Sequence, residues 1–250
     1  MSGSALSNRL RRGHNPWIGS IEATTGDDLV VTFDDGPDPE QTPRVLESLA
    51  RHRATATFFV LLTRARRHPA LIHSIVEAGH EVGLHGHDHR PMTEFSHRDA
   101  LVRTARAKEE LEVLTGSAVR WFRPPYGRQS LSSHVAVHRA GLTTVLWSAT
   151  TWDWKDVAPA QRLAKALEGA TPGAILLAHD GFADFDDGAD DGEPALRDRA
   201  GLVDQVLAEL GSRRLTGRSV GAALGRSAGI RTLRFARGSR STGGTAASDY

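Results

Sequence analysis

The chain of 250 residues contains no cysteine, so disulfides and thiolate chemistry are excluded, and any bound metal must be held by nitrogen and oxygen. No run of about 18 apolar residues occurs, which excludes a membrane-spanning helix. An excess of one charge is missing too: 31 basic against 30 acidic residues give a net charge of +1, no global field to attract nucleic acid. Arg11 and Arg12 are followed by Gly-His-Asn-Pro-Trp, not by the apolar stretch of roughly 7–15 residues that an export signal needs, so a cytoplasmic chain is expected. What is present is ordinary globular usage, 39% hydrophobic and 24% charged, over a length that suits a single α/β barrel.

Short apolar runs bounded by Gly, Pro or polar clusters predict strands over 29–33, 56–61, 81–84, 119–122, 143–147 and 174–178, with a weak seventh at 215–216. Helices are expected between them. Thr42 reads as an N-cap before Pro43, with Val45, Leu46 and Leu49 on one face. A second helix, 70–78, stops at Gly79. The longest, 97–114, carries Leu101, Ala105, Lys108, Leu111 and Leu114 as its stripe before Gly116, and 159–167 and 196–210 complete the set. Such alternation argues for a parallel sheet with helices outside it, as a barrel or an open sheet. In both, functional groups gather at the C-terminal ends of the strands.

Two segments are odd in composition. Asp180, Asp184, Asp186, Asp187, Asp190, Asp191, Glu193 and Asp198 face a single base, Arg197, and read as a solvated loop, with a metal or partner site as the sharper reading. Past Gly211 come eight arginines and one acid, Asp249. The Arg/Gly/Ser-rich tail, 227–250, is expected to be disordered, with contact to anionic lipid or nucleic acid as its sharper reading, and 1–27 a polar lead-in.

The strand ends concentrate polar groups. The first runs into TFDDGPD, placing Asp34 and Asp35 at its tip, where alternation would point them to opposite sides. The third ends in HGHDH, where neutral imidazoles at His85, His87 and His89 are metal-ligand material. Its spacing is one residue short of the H-x-H-x-D-H run of metallo-β-lactamase-like hydrolases. RPPYG (123–127) presents Arg123 and Tyr126 rigidly, Trp147 and Trp152-Asp153-Trp154 follow the fifth strand, and His179-Asp180 tip the sixth. A turn, a surface histidine loop or a Trp capping the core would explain each alone. Five such sets at successive strand ends are not explained so.

In this order TFDDGPD, histidines at i and i+4, RPPYG, Asp-Trp and LLAHD resemble the NodB-like polysaccharide deacetylases of carbohydrate esterase family 4, over 28–226. The resemblance implies an α/β fold, a distorted, incomplete (β/α) barrel of six to seven parallel strands. It implies Asp35, His85 and His89 as ligands of one divalent metal, zinc by preference, with Co2+, Ni2+ or Mn2+ as alternatives. Asp34 would be the base, oriented by Arg123, and His179 the acid, tuned by Asp153. Pro125, Trp154 and Leu177 would line the acetyl pocket, and the Tyr126 backbone N–H would meet the oxyanion. The reaction implied is removal of an N-acetyl group from an amino sugar (oligosaccharide, lipid-linked, nucleotide-linked or natural-product glycoside) by attack of a metal-held water. A non-sugar amide such as a cyclic ureide, or sugar binding without turnover, is the alternative. Gly86 stands where relatives carry Ser or Thr, Thr150 where many carry Asp, and His87 offers a spare imidazole between the ligands.

Overall fold

In the computed structural model, which describes residues 19–236 apart from 190, 191, 193 and 197, the strands are β1 (Ser20–Thr24), β2 (Leu29–Asp34), β3 (Thr57–Val60), β4 (Glu81–Leu84), β5 (Trp121–Phe122), β6 (Thr143–Thr144), β7 (Ala149–Thr150), β8 (Ile175–His179), β9 (Gly217–Arg218) and β10 (Gly229–Thr232). The helices are α1 (Gln41–Arg51), α2 (Leu62–Arg67), α3 (Pro69–Glu77), α4 (His97–Thr115), α5 (Leu131–Arg139), α6 (Pro159–Gly169), α7 (Arg199–Ser212) and α8 (Val220–Leu224). The main sheet runs β6-β5-β4-β3-β2-β8-β7 with every pairing parallel, and β9 adds to the start of β2. It is the expected incomplete (β/α) barrel. No helix among the described residues is long and apolar enough to cross a membrane.

β2 is buried along its whole length, as a central parallel strand covered on both faces must be. Its outward residues Leu29, Val31 and Phe33 join a core with Val45 and Leu49 of α1 and Val203 and Leu207 of α7. Val30 points inward, to Ile21, Phe59, Val145 and Ile175. Register then sets the interior: Val30 pairs with Ile175, Thr32 with Leu177 and Asp34 with His179. Because side chains alternate along a strand, the inward face turns from apolar to ionisable toward the C-terminal ends.

The sheet edges, β6 and β7, are adjacent in sequence, so residues 145–148 step across the opening of the barrel. β1 fills that seam. The Leu146 N–H donates to Ile21 O at 2.7 Å and the Thr24 N–H to Gly173 O at 2.7 Å. β1 also pairs antiparallel with β10, Ser20 opposite Thr232.

Several expectations are corrected here. Residues 20–24 are a strand rather than a polar lead-in, and 229–232 are its partner rather than a disordered tail, so the boundaries drawn at 28 and 226 cut through one structural unit. The rest of both terminal segments, 1–18 and 237–250, lies outside the described residues. Four arginines of the basic stretch are used internally: Arg218 and Arg226 face Asp28, Arg234 pairs with Glu22, and Arg231 donates to Gly19 O. The predicted strand 143–147 stops at Thr144 because the chain leaves one edge for the other. Thr42 does not cap α1. The Asp38 carboxylate accepts from the Glu40 and Gln41 N–H groups instead, and Thr42 donates to Asp180 at 2.5 Å. The buried line of α4 is Ala100, Thr104, Ala107, Leu111 and Thr115, which shares Leu111 with the expected stripe, while Leu101 and Leu114 pack partly buried against the core. Small side chains let the helix approach closely, and Lys108 turns aside to Glu112. α2, α5 and α8 were not anticipated; α2 and α8 are too short for a clear period.

Ile21 is 2% exposed in the inner cluster. Ile21→Ala should therefore lower unfolding free energy by about 2–5 kcal/mol in urea titrations, whereas a residue of a polar lead-in would have no effect.

Candidate active site

Arg123 leaves β5 into the barrel and is 0% exposed. Its Nη1 donates to Asp34 Oδ1 and to Thr32 Oγ1, both at 2.8 Å, Nε to Val145 O at 3.1 Å and Nη2 to Leu146 O at 3.0 Å. The Phe59 ring lies 4.2 Å from the guanidinium carbon. Thr32, two residues before Asp34 on the same strand face, was legible from period 2 but was not singled out. Burial pulls the Arg123 pKa down and the Asp34 carboxylate opposes that.

Asp35 lies one residue past β2 with φ 71°, so strand alternation no longer governs it. The expected divergence of the two carboxylates is therefore replaced by convergence: His85 Nε2 lies 3.3 Å from Asp35 Oδ1 and 3.8 Å from Asp34 Oδ2. His89 Nε2 is 3.2 Å from the same Asp35 oxygen. Burial raises the Asp35 pKa, but the His89 and His85 imidazoles overcome it and hold the carboxyl well below the usual range. The His85 Nδ1–H donates to Arg123 O at 2.9 Å, a tautomer that turns the Nε2 lone pair toward Asp35.

Whether this trio suits a cation can be tested on the chain itself. Asp35 Oδ1 is buried and accepts no hydrogen bond of good geometry. Buried carboxylate oxygens are rarely left so. Asp35, His85 and His89 offer ligand atoms all within 4.8 Å of one another, one oxygen and two imidazole nitrogens, a donor set that suits zinc and its neighbours. The residues fit.

His179 ends β8 beside Asp34. Its Nδ1 is 2.7 Å from Asp153 Oδ1, and its N–H donates to Asp153 Oδ2 at 2.8 Å. Burial disfavours the charged ring, yet the Asp153 carboxylate outweighs it, and Asp35 adds to the same direction, so the pKa is raised to about 9. A cation at Asp35 would offset that last contribution. Arg199, which the sequence did not flag, holds Asp153 Oδ2 at 3.1 Å from the start of α7. Trp154 stands edge-on to His179, ring centroids 5.4 Å apart, and Leu177 faces inward two residues before it.

Pro124 and Pro125 fix the loop in which Tyr126 adopts φ 56°, its ring 4.3 Å from that of His89. Non-glycine residues at positive φ are uncommon and gather at functional sites. His87 is not brought to the trio. It lies in a groove between α2 and α4 with Arg66 and Arg103. The Thr150 hydroxyl accepts from the Trp152 N–H.

The acidic segment is not simply a solvated loop. Asp180 and Asp187 are both 0% exposed. Burial raises the Asp180 pKa to about 7, the Thr42 hydroxyl opposing it. Asp187 accepts from Arg64 Nε at 2.6 Å, from Thr63 Oγ1 at 2.9 Å and from Arg67, while its carbonyl accepts from the His89 N–H at 2.7 Å. The loop after β8 thus fixes the backbone of one candidate ligand. Asp190, Asp191, Glu193 and Arg197 lie outside the described residues.

Gly86 has φ 117°, and a Cβ there would sit 2.7 Å from Asp88 O. Glycine is what lets the chain turn between His85 and His89. Gly86→Ser should weaken binding of an added divalent cation at the Asp35–His85–His89 trio at least tenfold by calorimetry and lower Tm. An unchanged affinity would show that the loop tolerates the side chain.

The family model for polysaccharide deacetylases matches residues 22–145. A peptidoglycan-N-acetylglucosamine deacetylase of Listeria monocytogenes is 38% identical over 159 residues, 64% of this chain but only 34% of the relative, so the chain spans about a third of that protein. A chitooligosaccharide deacetylase of Azorhizobium caulinodans is 36% identical over 61% of this chain and 73% of its own. The structure of a peptidoglycan deacetylase from Bacillus subtilis superposes with a TM-score of 0.68 at 26% identity, covering 80% of this chain and 90% of that one. By fold, by strand-end residues and by these matches, the chain belongs to the polysaccharide deacetylase family.

Proposed function

We propose that the chain is a divalent-metal-dependent hydrolase that removes N-acetyl groups from a saccharide containing N-acetylglucosamine. One observation carries the reading: Asp34 and His179, paired in register on adjacent strands, flank the Asp35–His85–His89 trio with opposite proton equipment. Names of relatives that act on peptidoglycan and on chitooligosaccharides support the same substrate class.

An amide has a weakly electrophilic carbonyl and a poor leaving group. A divalent cation held by Asp35, His85 and His89 would supply Lewis-acid polarisation and make water easier to ionise. The chain supplies the rest. Asp34, aimed by Arg123, accepts the proton of the attacking water, a contribution of about 10²–10⁴-fold. His179, kept protonated by Asp153, hands a proton to the departing amine. Without it the tetrahedral species would expel hydroxide and revert. The Tyr126 backbone N–H would stabilise developing charge on the carbonyl oxygen. Pro125, Trp154 and Leu177 wall the space for the methyl group.

Acetate release from N-acetylated sugars should vanish with chelator and return with zinc. Asp34→Asn should lose at least about 10²-fold in kcat while binding zinc as before. Chelator-resistant release, or an active Asp34→Asn, would overturn the assignment; sugar binding without release would leave a carbohydrate-binding protein.

The His179 shift sets a pH dependence. Protonated His179 is the working acid, so kcat should fall on an alkaline limb at or somewhat below pH 9 when zinc offsets the Asp35 contribution. The raised pKa also stabilises the fold fully below the ordinary 6.5, an increment lost as pH rises through about 9. Asp153→Asn should move the alkaline limb down by a unit or more. A pH–kcat profile unmoved by Asp153→Asn would show that another group supplies the proton.

A further inference from the structure

Phe185 plays no part in the chemistry above, yet the fold displays it. It is 87% exposed, more than any other large apolar side chain among the described residues. Its backbone, by contrast, is pinned. The Asp184 carboxylate accepts from the Asp186 N–H at 2.9 Å and the Asp187 N–H at 3.3 Å. Asp187 is buried on Arg64, Arg67 and Thr63. On either side of the turn, Ala183 and Ala189 are buried against Leu61.

The turn also has a definite place. The Asp187 carbonyl holds the His89 N–H, and a Cβ on Gly188 would touch Arg90 and Asp88. It therefore rests on the loop that carries His89, at the rim of the trio. An exposed phenylalanine on a loose loop would mean little. One fixed on a turn with a buried ionic anchor, beside a candidate cation site, is a preorganised surface. An aromatic ring offers a broad face at the cost of freezing only two torsions, and the C–H face of a pyranose lies flat against such a ring.

We propose that Phe185 is a stacking platform for a sugar unit adjoining the one whose acetyl group reacts. The proposal rests on the deacetylase reading. The reacting unit would meet Tyr126, Trp154 and Leu177, and Phe185 would meet its neighbour from the exposed turn whose Asp187 carbonyl holds the His89 N–H.

The test compares zinc-loaded protein on N-acetylglucosamine and on its β-1,4-linked tetramer. Wild type should show a higher kcat/KM on the tetramer. Phe185→Ala should lower the tetramer-to-monomer ratio of kcat/KM about tenfold, roughly 1.4 kcal/mol, through KM, and Phe185→Trp should keep it. In an Asp34→Asn background, Phe185→Ala should weaken tetramer binding by a similar factor in calorimetry. Equal kcat/KM of wild type on the two sugars, or an unchanged ratio and affinity in Phe185→Ala, would overturn the platform and leave the deacetylase reading standing. If wild type releases acetate from neither sugar and Asp34→Asn binds neither, both readings fall.

Discussion

The site depends on a guanidinium that has no water. Removing a charge from solvent costs several kcal/mol unless every donor finds a partner. All three nitrogens of Arg123 find partners, in Asp34, Thr32 and the carbonyls of Val145 and Leu146. Those carbonyls are available because the barrel does not close. Where a complete sheet would engage them in a ladder, the chain steps from β6 to β7 and leaves them facing inward. The incomplete barrel and the orientation of Asp34 are thus one fact seen from two ends, and β1 bonds into the seam.

A second constraint is the gradient inside the barrel. Val30 and Ile175 sit low, Thr32 and Leu177 in the middle, Asp34 and His179 at the top. The apolar floor below and the ordered loops above place the ionisable groups where water is scarce and each charge answers to a neighbour. Asp34 answers to Arg123, Asp35 to two imidazoles, His179 to Asp153 and Asp153 to Arg199. Removing one partner leaves another buried charge uncompensated.

The residues of the candidate site were readable because each sits in a short motif at the C-terminal end of a strand, where local pattern and spatial position coincide. Asp34, His85, Arg123 and His179 are all of this kind. What could not be read depends on distance along the chain. β1 finds β10 more than two hundred residues later, for example Ser20 opposite Thr232, and neither segment has a period strong enough to declare itself. Asp187 looked solvated among other acids because its partners Arg64 and Thr63 lie 123 and 124 residues away. Arg199 is remote from Asp153 in the same way. Gly86, read as a lost hydroxyl, is a requirement of the backbone path, which only φ reveals.

The pairing of β1 with β10 sets an order on assembly. During synthesis every side chain of the site, from Asp34 to His179, is made before residues 229–232, which complete the two-stranded ribbon at the seam. A growing chain can bring its strands together early, but the ribbon over the opening beside Arg123 is finished only by the last strand. Among the described residues, the candidate site is made from the middle of the sequence and the ribbon at the opening from segments on either side of it.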